Sequence, residues 1–290
     1  MKLSMIITIL LMLVGIGLFS SSIAAQSGSR TPDSFEFKVI LKNSLFNSSS
    51  KNSGIDSFKK IIEGQFGITV KEDRKEKSRV VSYMDTVNCD LRNNNYILRK
   101  RFTLKGGAPD SLKVTLKYRS DKSNKVRSKK FKARLSSNLI ASKFEVDVVK
   151  GSSSQTQKKF SYSGSVELGK IKKFHQLKSL YPALNELGIS DNKKLKKVND
   201  FTAFESVMEL GAIKIAGKKC EASFSFWYET RDQIDPFVSE FSYVCNKNTN
   251  KAQKLYQAIL GLVDWVKDDS STKTAIAYGD YCNKSNLESE

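Results

Sequence analysis

From Ser34 to Leu41 the chain alternates, with Phe35, Phe37, Val39 and Leu41 on one side and Ser34, Glu36 and Lys38 on the other. Successive side chains of a strand point to opposite faces, so this pattern predicts a strand over 35–41 with one apolar and one charged face. The same design returns in Leu98-Arg99-Lys-Arg101, Lys113-Val-Thr115-Leu-Lys117-Tyr-Arg119 and Lys143-Phe-Glu145-Val-Asp147. Strands are expected over 79–86, 96–104, 112–119, 129–135 and 144–149, with a second strand-rich block from about 201 to 244. Helical spacing appears three times. Ile55, Phe58, Ile61 and Ile62 mark a helix that stops around Gly64 and Gly67. Phe174, Leu177, Leu180, Leu184 and Leu187 mark another over 170–188, broken at Pro182 and stopped by Gly188. Leu255, Ile259, Leu262, Val263 and Val266 mark the last.

The order is roughly β-α-β5-α-β4-α, an α+β chain in which each helix has one apolar face with which to cover the apolar side of an antiparallel sheet. If that sheet stays open, its charged side faces water. If it closes into a barrel, the charged side becomes a lumen, because small barrels turn alternate residues of every strand inward. Ions facing one another out of bulk water cost several kcal/mol each without partners, so such a lumen needs paired charges or a charged ligand.

One hairpin is readable in detail. Residues 220–228 and 237–245 flank Arg231-Asp-Gln-Ile-Asp-Pro236, whose Asp and Pro residues suit a turn. Centring the turn between Asp232 and Gln233 sets Cys220 opposite Cys245 and Ser225 opposite Glu240. Glu221, Ser223, Ser225, Glu240 and Ser242 then share one face with Trp227, while Phe224, Phe226, Phe241 and Tyr243 share the other. A Cys220–Cys245 bridge is the favoured pairing; Cys89 and Cys282 either pair with each other or stay free.

Charge and address narrow the partner. The 290-residue chain carries a formal net charge of +19, and its 39% hydrophobic content is enough for a packed core. Such a balance favours an acidic partner: a phosphate compound, nucleic acid, an anionic glycan or an anionic membrane. Residues 1–25 combine Lys2, an apolar run and a small-residue end, and are read as a signal peptide, with an uncleaved membrane anchor as the alternative. Residues 26–31 are a linker and 32–285 a single domain. The expected location is secreted or periplasmic, with no stable membrane insertion after signal removal. His175 is the only histidine, which excludes Ser-His and multi-His metal sites within one chain. No GxxxxGK[ST] loop is present, so a P-loop nucleotide site has no support.

The ordered motifs resemble the CYTH family of triphosphate tunnel metalloenzymes. Its first strand reads ExExK, here Ser34-Phe-Glu36-Phe-Lys38; then come Tyr83-Met-Asp85-Thr86, Leu98-Arg99-Lys-Arg101, Thr115-Leu-Lys117-Tyr-Arg119 and the acidic Glu145-Val-Asp147. Glu240 falls in a late acidic strand, and Lys273 is the counterpart of a Lys that precedes a C-terminal strand. The resemblance implies an antiparallel β tunnel barrel of about eight strands, with amphipathic helices packed outside. It also implies hydrolysis of a triphosphate or polyphosphate. Lys38, Arg99, Arg101, Lys117 and Arg119 would bind phosphate oxygens, and Glu36, Glu145, Asp147 and Glu240 would hold Mg²⁺ or Mn²⁺. The chain departs from the pattern at Ser34 and Ser242, where carboxylates are expected. A hydroxyl is a poorer ligand for a hard cation, which raises a second reading: an exported, non-catalytic binder of polyphosphate, nucleotide or another polyanion. Surface binding of nucleic acid or anionic glycan rests on charge alone and is not favoured.

Overall fold

A computed structural model describes residues 31–47, 49–129, 139–151, 155–167, 172–215, 217–247, 249–269 and 271–284. The segments read as signal peptide and linker, and nearly all of the strand expected over 129–135, lie outside these residues.

Nine strands follow from the alternating segments: β1 (Ser34–Leu41), β2 (Thr69–Asp85), β3 (Tyr96–Lys105), β4 (Ala108–Ser120), β5 (Leu139–Lys150), β6 (Thr156–Glu167), β7 (Lys196–Ile215), β8 (Lys218–Tyr228) and β9 (Val238–Cys245). They close into a barrel in the order β1-β5-β6-β4-β3-β2-β7-β8-β9, so no sheet edge is left unpaired. Every pairing is antiparallel except β1 with β5. This is the α+β tunnel barrel that the resemblance implied, with nine strands rather than about eight. The strand over Thr156–Glu167 was not anticipated, and the block from 201 to 244 holds three strands rather than four. The hairpin register is the expected one: Cys220 faces Cys245 and Ser225 faces Glu240.

Helices cover the outward faces. In α1 (Lys51–Phe66) Ile55, Phe58 and Ile62 are fully buried, and Gly67 ends the helix at φ +58°, a left-handed conformation that glycine adopts without strain. The helix runs through Gly64. Short helices α2 (Asp90–Asn93) and α3 (Ser123–Arg127) lie in the loops that follow β2 and β4. Helix α4 (Phe174–Leu180) buries Phe174, Leu177 and Leu180; the chain then breaks at Pro182 into a 3-10 turn ending at Gly188, φ +65°. Helix α5 (Asn250–Leu260) starts at Thr249, whose hydroxyl accepts the N–H of Ala252, and buries Leu255, Tyr256 and Ile259. It stops at Leu260, not at Val266. Val263 is 68% exposed, and Val266 instead forms a bridge to Leu41. Two short helices, α6 (Lys273–Tyr278) and α7 (Tyr281–Lys284), end the described chain. They correct the C-terminal strand expected after Lys273.

Two of the three core clusters therefore lie outside the barrel wall, while the third faces the lumen. Phe37, Phe224, Phe226, Phe241 and Tyr243 face the apolar sides of α1 and α5, where Phe58 packs on Phe241 with ring centroids 5.0 Å apart. Trp265 joins this layer at 5.4 Å from Phe58. A second cluster sits under α4, where the Tyr181 hydroxyl donates to the Gly164 carbonyl at 3.0 Å. A third gathers Val81, Tyr83, Ile97 and Trp227 around Ala277 and Tyr278 of α6.

Two disulfides complete the frame, Cys220–Cys245 across β8 and β9 and Cys89–Cys282 across 193 residues of chain. They suit an oxidising, extracytoplasmic environment. Among the described residues no helix is long and apolar enough to cross a membrane. By the loop-closure account, replacing both Cys89 and Cys282 by Ser lowers stability by about 2–5 kcal/mol. Urea unfolding is expected to show a larger loss for this pair than for Cys220→Ala with Cys245→Ala, which closes a far shorter loop.

Candidate functional site: a charged tunnel

Parallel pairing of β1 with β5 sets Ser34 beside Glu145 and Glu36 beside Asp147. Three of the four candidate metal ligands thus share one patch of inner wall. Asp147, 1% exposed, is at its centre. The Lys38 ammonium lies 2.8 Å from its Oδ1, and Lys117 Nζ and Arg119 Nη2 lie 3.1 and 3.0 Å from its Oδ2. Lys38 also reaches Glu36 at 2.7 Å; Glu145 takes Lys143 at 2.6 Å and Lys117 at 3.6 Å. Burial alone would raise the Asp147 carboxyl, but Lys117, Lys38 and Arg119 outweigh it and hold it well below the usual carboxylate range.

The opposite wall is not paired in this way. On β3, Arg99 faces Tyr83 of β2 and Thr115 of β4, and Arg101 faces Val81 and Lys113. Arg101 approaches a carboxylate only at 4.0 Å, to Glu205, and Arg79 does so at 3.5 Å to the same residue. Arg99 forms no ion pair among the described residues, and its buried Nε has no partner. Burial, with Arg101 beside it, pulls the Arg99 guanidinium down to about 10. Lys113 is lowered as well, by burial and then by Arg101, Arg99 and Arg79. Cations outnumber acids here, and the excess is desolvated.

Glu240, the fourth candidate ligand, stands apart from the first three and pairs with Lys273. That lysine opens α6, behind Thr272, whose hydroxyl accepts the N–H of Ala275. Its ammonium lies 2.9 Å from Glu240 and 3.2 Å from Glu205, and donates to Ser225 Oγ at 2.8 Å. Glu205 is 3% exposed and also accepts from Ser225 Oγ and Trp227 Nε1, each at 3.0 Å. Burial would raise Glu205, but Lys273 and Arg101 hold it well below its ordinary value. Trp227 thus lies on the lumen side, as its register with Ser225 implies.

Two cavities occupy the lumen, of about 880 and 1,090 Å³, and their walls share Glu36, Arg101, Glu205, Glu240 and Lys273. They adjoin at that ring of charge. The smaller is lined by thirteen Lys or Arg side chains against six Asp or Glu, including all nine candidate site residues. The fold therefore brings the predicted set to one cavity, though it separates the fourth carboxylate from the other three.

Glu205, Arg79 and Lys113 were not singled out from sequence. Glu205 sits in Ala203-Phe-Glu205-Ser-Val207, where apolar residues fall on both faces, so alternation does not say which side is inner. Arg79 ends a run of charges from Lys71 to Arg79 that carries no alternation. Lys113 was visible in its strand's pattern, opposite Arg101, and was passed over.

As arranged, the carboxylates do not fit a divalent metal. Among the described residues no group of three or more His, Cys, Asp or Glu side chains is placed to hold one. Both oxygens of Asp147 carry cationic partners, Ser242 Oγ lies 3.3 Å from Ser223 Oγ, and Ser34 Oγ is a donor to Glu145 at 3.5 Å rather than a further carboxylate beside it. Mg²⁺ and Mn²⁺ need several oxygen donors free to converge.

These ion pairs make the fold acid-sensitive. Because Asp147 and Glu205 titrate lower in the folded chain than unfolded, their contribution is full above about pH 4.5 and is lost as pH falls through their folded-state values. Glu205→Gln, which leaves Lys273, Arg79 and Arg101 without their shared counter-charge, is expected to lower stability at neutral pH by about 3–5 kcal/mol. It should also flatten the acid limb of stability against pH. Urea titrations at neutral pH and between pH 3 and 5, read by circular dichroism, check both.

No family model matches the chain, and no curated protein does. Solved structures do. A candidate adenylyl cyclase from Hippeastrum, described as having a dominant triphosphatase activity, matches at 12% identity and a TM-score of 0.45 over 83% of this chain and 93% of its own. A candidate adenylate cyclase from Bacillus halodurans matches at 14% identity and a TM-score of 0.40, over 85% and 99% of the two chains. A Pyrococcus horikoshii protein matches at 10% identity and a TM-score of 0.38, over 89% and 99%. The chain's own closed barrel, strand order and inward-facing basic and acidic motifs describe a CYTH-like tunnel fold.

Proposed function

We propose that the tunnel binds a linear phosphate anion, a triphosphate or a stretch of polyphosphate, in an exported protein that is secreted or periplasmic. The observation that carries this reading is the wall formed by Arg79, Arg99, Arg101 and Lys113, where Glu205 is the only carboxylate within 4.0 Å of any of the four among the described residues and Arg99 and Lys113 have no ion pair. A buried guanidinium without a counter-charge is unfavourable, and a phosphate oxygen on it relieves the imbalance through charge-assisted, bidentate hydrogen bonds. On the facing wall Lys38, Lys117 and Arg119 all pair with Asp147, and Lys38 and Lys117 also with Glu36 and Glu145, so they supply background potential more than free donors. A cavity of about 880 Å³ is in the size range that encloses a small ligand.

Hydrolysis of the bound anhydride is a second reading, favoured by Arg99. A preorganised, water-poor donor of that kind stabilises charge that develops on a transferring phosphoryl group. Phosphoryl transfer depends mainly on positioning and electrostatics, so the absence of an evident general base does not weigh against it. Glu205 and Asp147, held ionised by their partners, are weak bases.

Isothermal titration with tripolyphosphate tests the binding. Arg99→Ala, which deletes the unpaired cation, is expected to weaken affinity about tenfold or more. Binding by the outer surface alone, as for nucleic acid or an anionic glycan, would leave Arg99→Ala unchanged and show a steep salt dependence. Phosphate release from the bound ligand, followed in the same samples, separates the enzyme from the binder.

A further inference from the structure

Three ammonium groups stand between pairs of carboxylates inside the barrel. Lys38 bridges Glu36 and Asp147 at 2.7 and 2.8 Å, Lys117 bridges Asp147 and Glu145 at 3.1 and 3.6 Å, and Lys273 bridges Glu240 and Glu205 at 2.9 and 3.2 Å. These are the carboxylates a divalent cation would need, and in each pair an ammonium already occupies the position between the two. A metal ion placed there would have to displace an ammonium tethered to the protein, leaving a second buried cation without its partner. That exchange is costly, because removing one member of a buried ion pair leaves the other uncompensated. Ser34 and Ser242 offer no carboxylate to offset it, and Ser242 is engaged with Ser223.

The consequence concerns the ligand's form. A phosphate chain with Mg²⁺ bound has part of its charge neutralised before it reaches the tunnel; the free chain does not. The wall of Arg79, Arg99, Arg101 and Lys113 has more positive charge than the carboxylates around it offset, so it gains most from the fully charged form. We propose that the tunnel takes a linear phosphate polyanion in its uncomplexed state, with Lys38, Lys117 and Lys273 serving as built-in counter-cations in place of a divalent metal. This rests on the reading of the tunnel as a phosphate-anion site.

The test is calorimetric titration of the full chain with tripolyphosphate in EDTA, repeated with Mg²⁺ in excess over the ligand, beside a titration of the protein with Mn²⁺ alone. Binding in EDTA is expected, with affinity falling about tenfold or more in excess Mg²⁺ and no saturable Mn²⁺ binding at micromolar concentrations. Binding that appears only once Mg²⁺ or Mn²⁺ is added, or saturable micromolar Mn²⁺ binding by the protein alone, overturns the proposal while leaving the anion site standing. No tripolyphosphate binding under either condition overturns the anion site itself, and this inference with it. A Lys38→Gln, Lys117→Gln double variant gives an independent measurement when its circular dichroism matches the parent: freeing Glu36 and Oδ1 of Asp147, with Arg119 left on Oδ2, is expected to create Mn²⁺ binding visible by electron paramagnetic resonance. A folded variant that still binds no Mn²⁺ counts against the bridging role.

Discussion

The pairing of buried charge inside the barrel is the constraint on which everything else depends. An ion moved from water into a protein interior loses several kcal/mol of solvation unless its neighbours replace it. Here the replacement is arranged by register. Because β1 runs parallel to β5, Glu36 and Asp147 come side by side, and Lys38 of β1 and Lys117 and Arg119 of β4 reach Asp147. A slip of one residue in any of these strands would turn its charges outward into an aromatic layer and its apolar side chains inward. The lumen thus specifies the register at least as firmly as the core does.

That constraint also divides the labour between the two faces of each strand. Outward residues such as Phe37, Phe224 and Phe241 gather under α1 and α5 into a packed layer, which supplies the apolar burial. Inward residues are left to manage charge. The division is uneven around the barrel: the β1–β5 side is neutralised within itself, while the β2–β3–β4 side keeps Arg99 and Lys113 without ion pairs among the described residues. A ligand that carries negative charge along a line would complete the second side and leave the first undisturbed.

Much of this was legible in the alternation. Phe35 to Leu41, Leu98 to Arg101 and Lys113 to Arg119 each show one apolar and one charged side, and the hairpin around Asp232 and Gln233 could be registered to the residue. The strand Thr156–Glu167 is harder to read, because its inner positions Ser161, Ser163 and Ser165 are small hydroxyls and Lys159 is the one charge on that face lining the cavity. Glu205 was hidden for the opposite reason: its strand is buried on both faces, so nothing in the local pattern separates lumen from core. The end of α5 was overrun because Leu262 and Val266 continue a helical period, although Val266 reaches its apolar contact by bridging Leu41. Lys273 illustrates what periodicity cannot carry. Its position at the start of a helix, with its ammonium between two carboxylates of the lumen, follows only from how α6 packs against Tyr83 and Trp227.

The barrel's closing seam has a kinetic meaning. Strand β1, the first of the nine, lies between β5 and β9, and its bonds to β9 join Phe35 to Cys245 and Lys38 to Ser242. A growing chain therefore cannot seal the cylinder until its ninth strand has been made, and contacts this distant in sequence form slowly. Until then Asp147 and Glu205 remain open to water on the seam side. The costly step of drying Asp147 is deferred until Lys38, Lys117 and Arg119, the cations that will hold it, are all present.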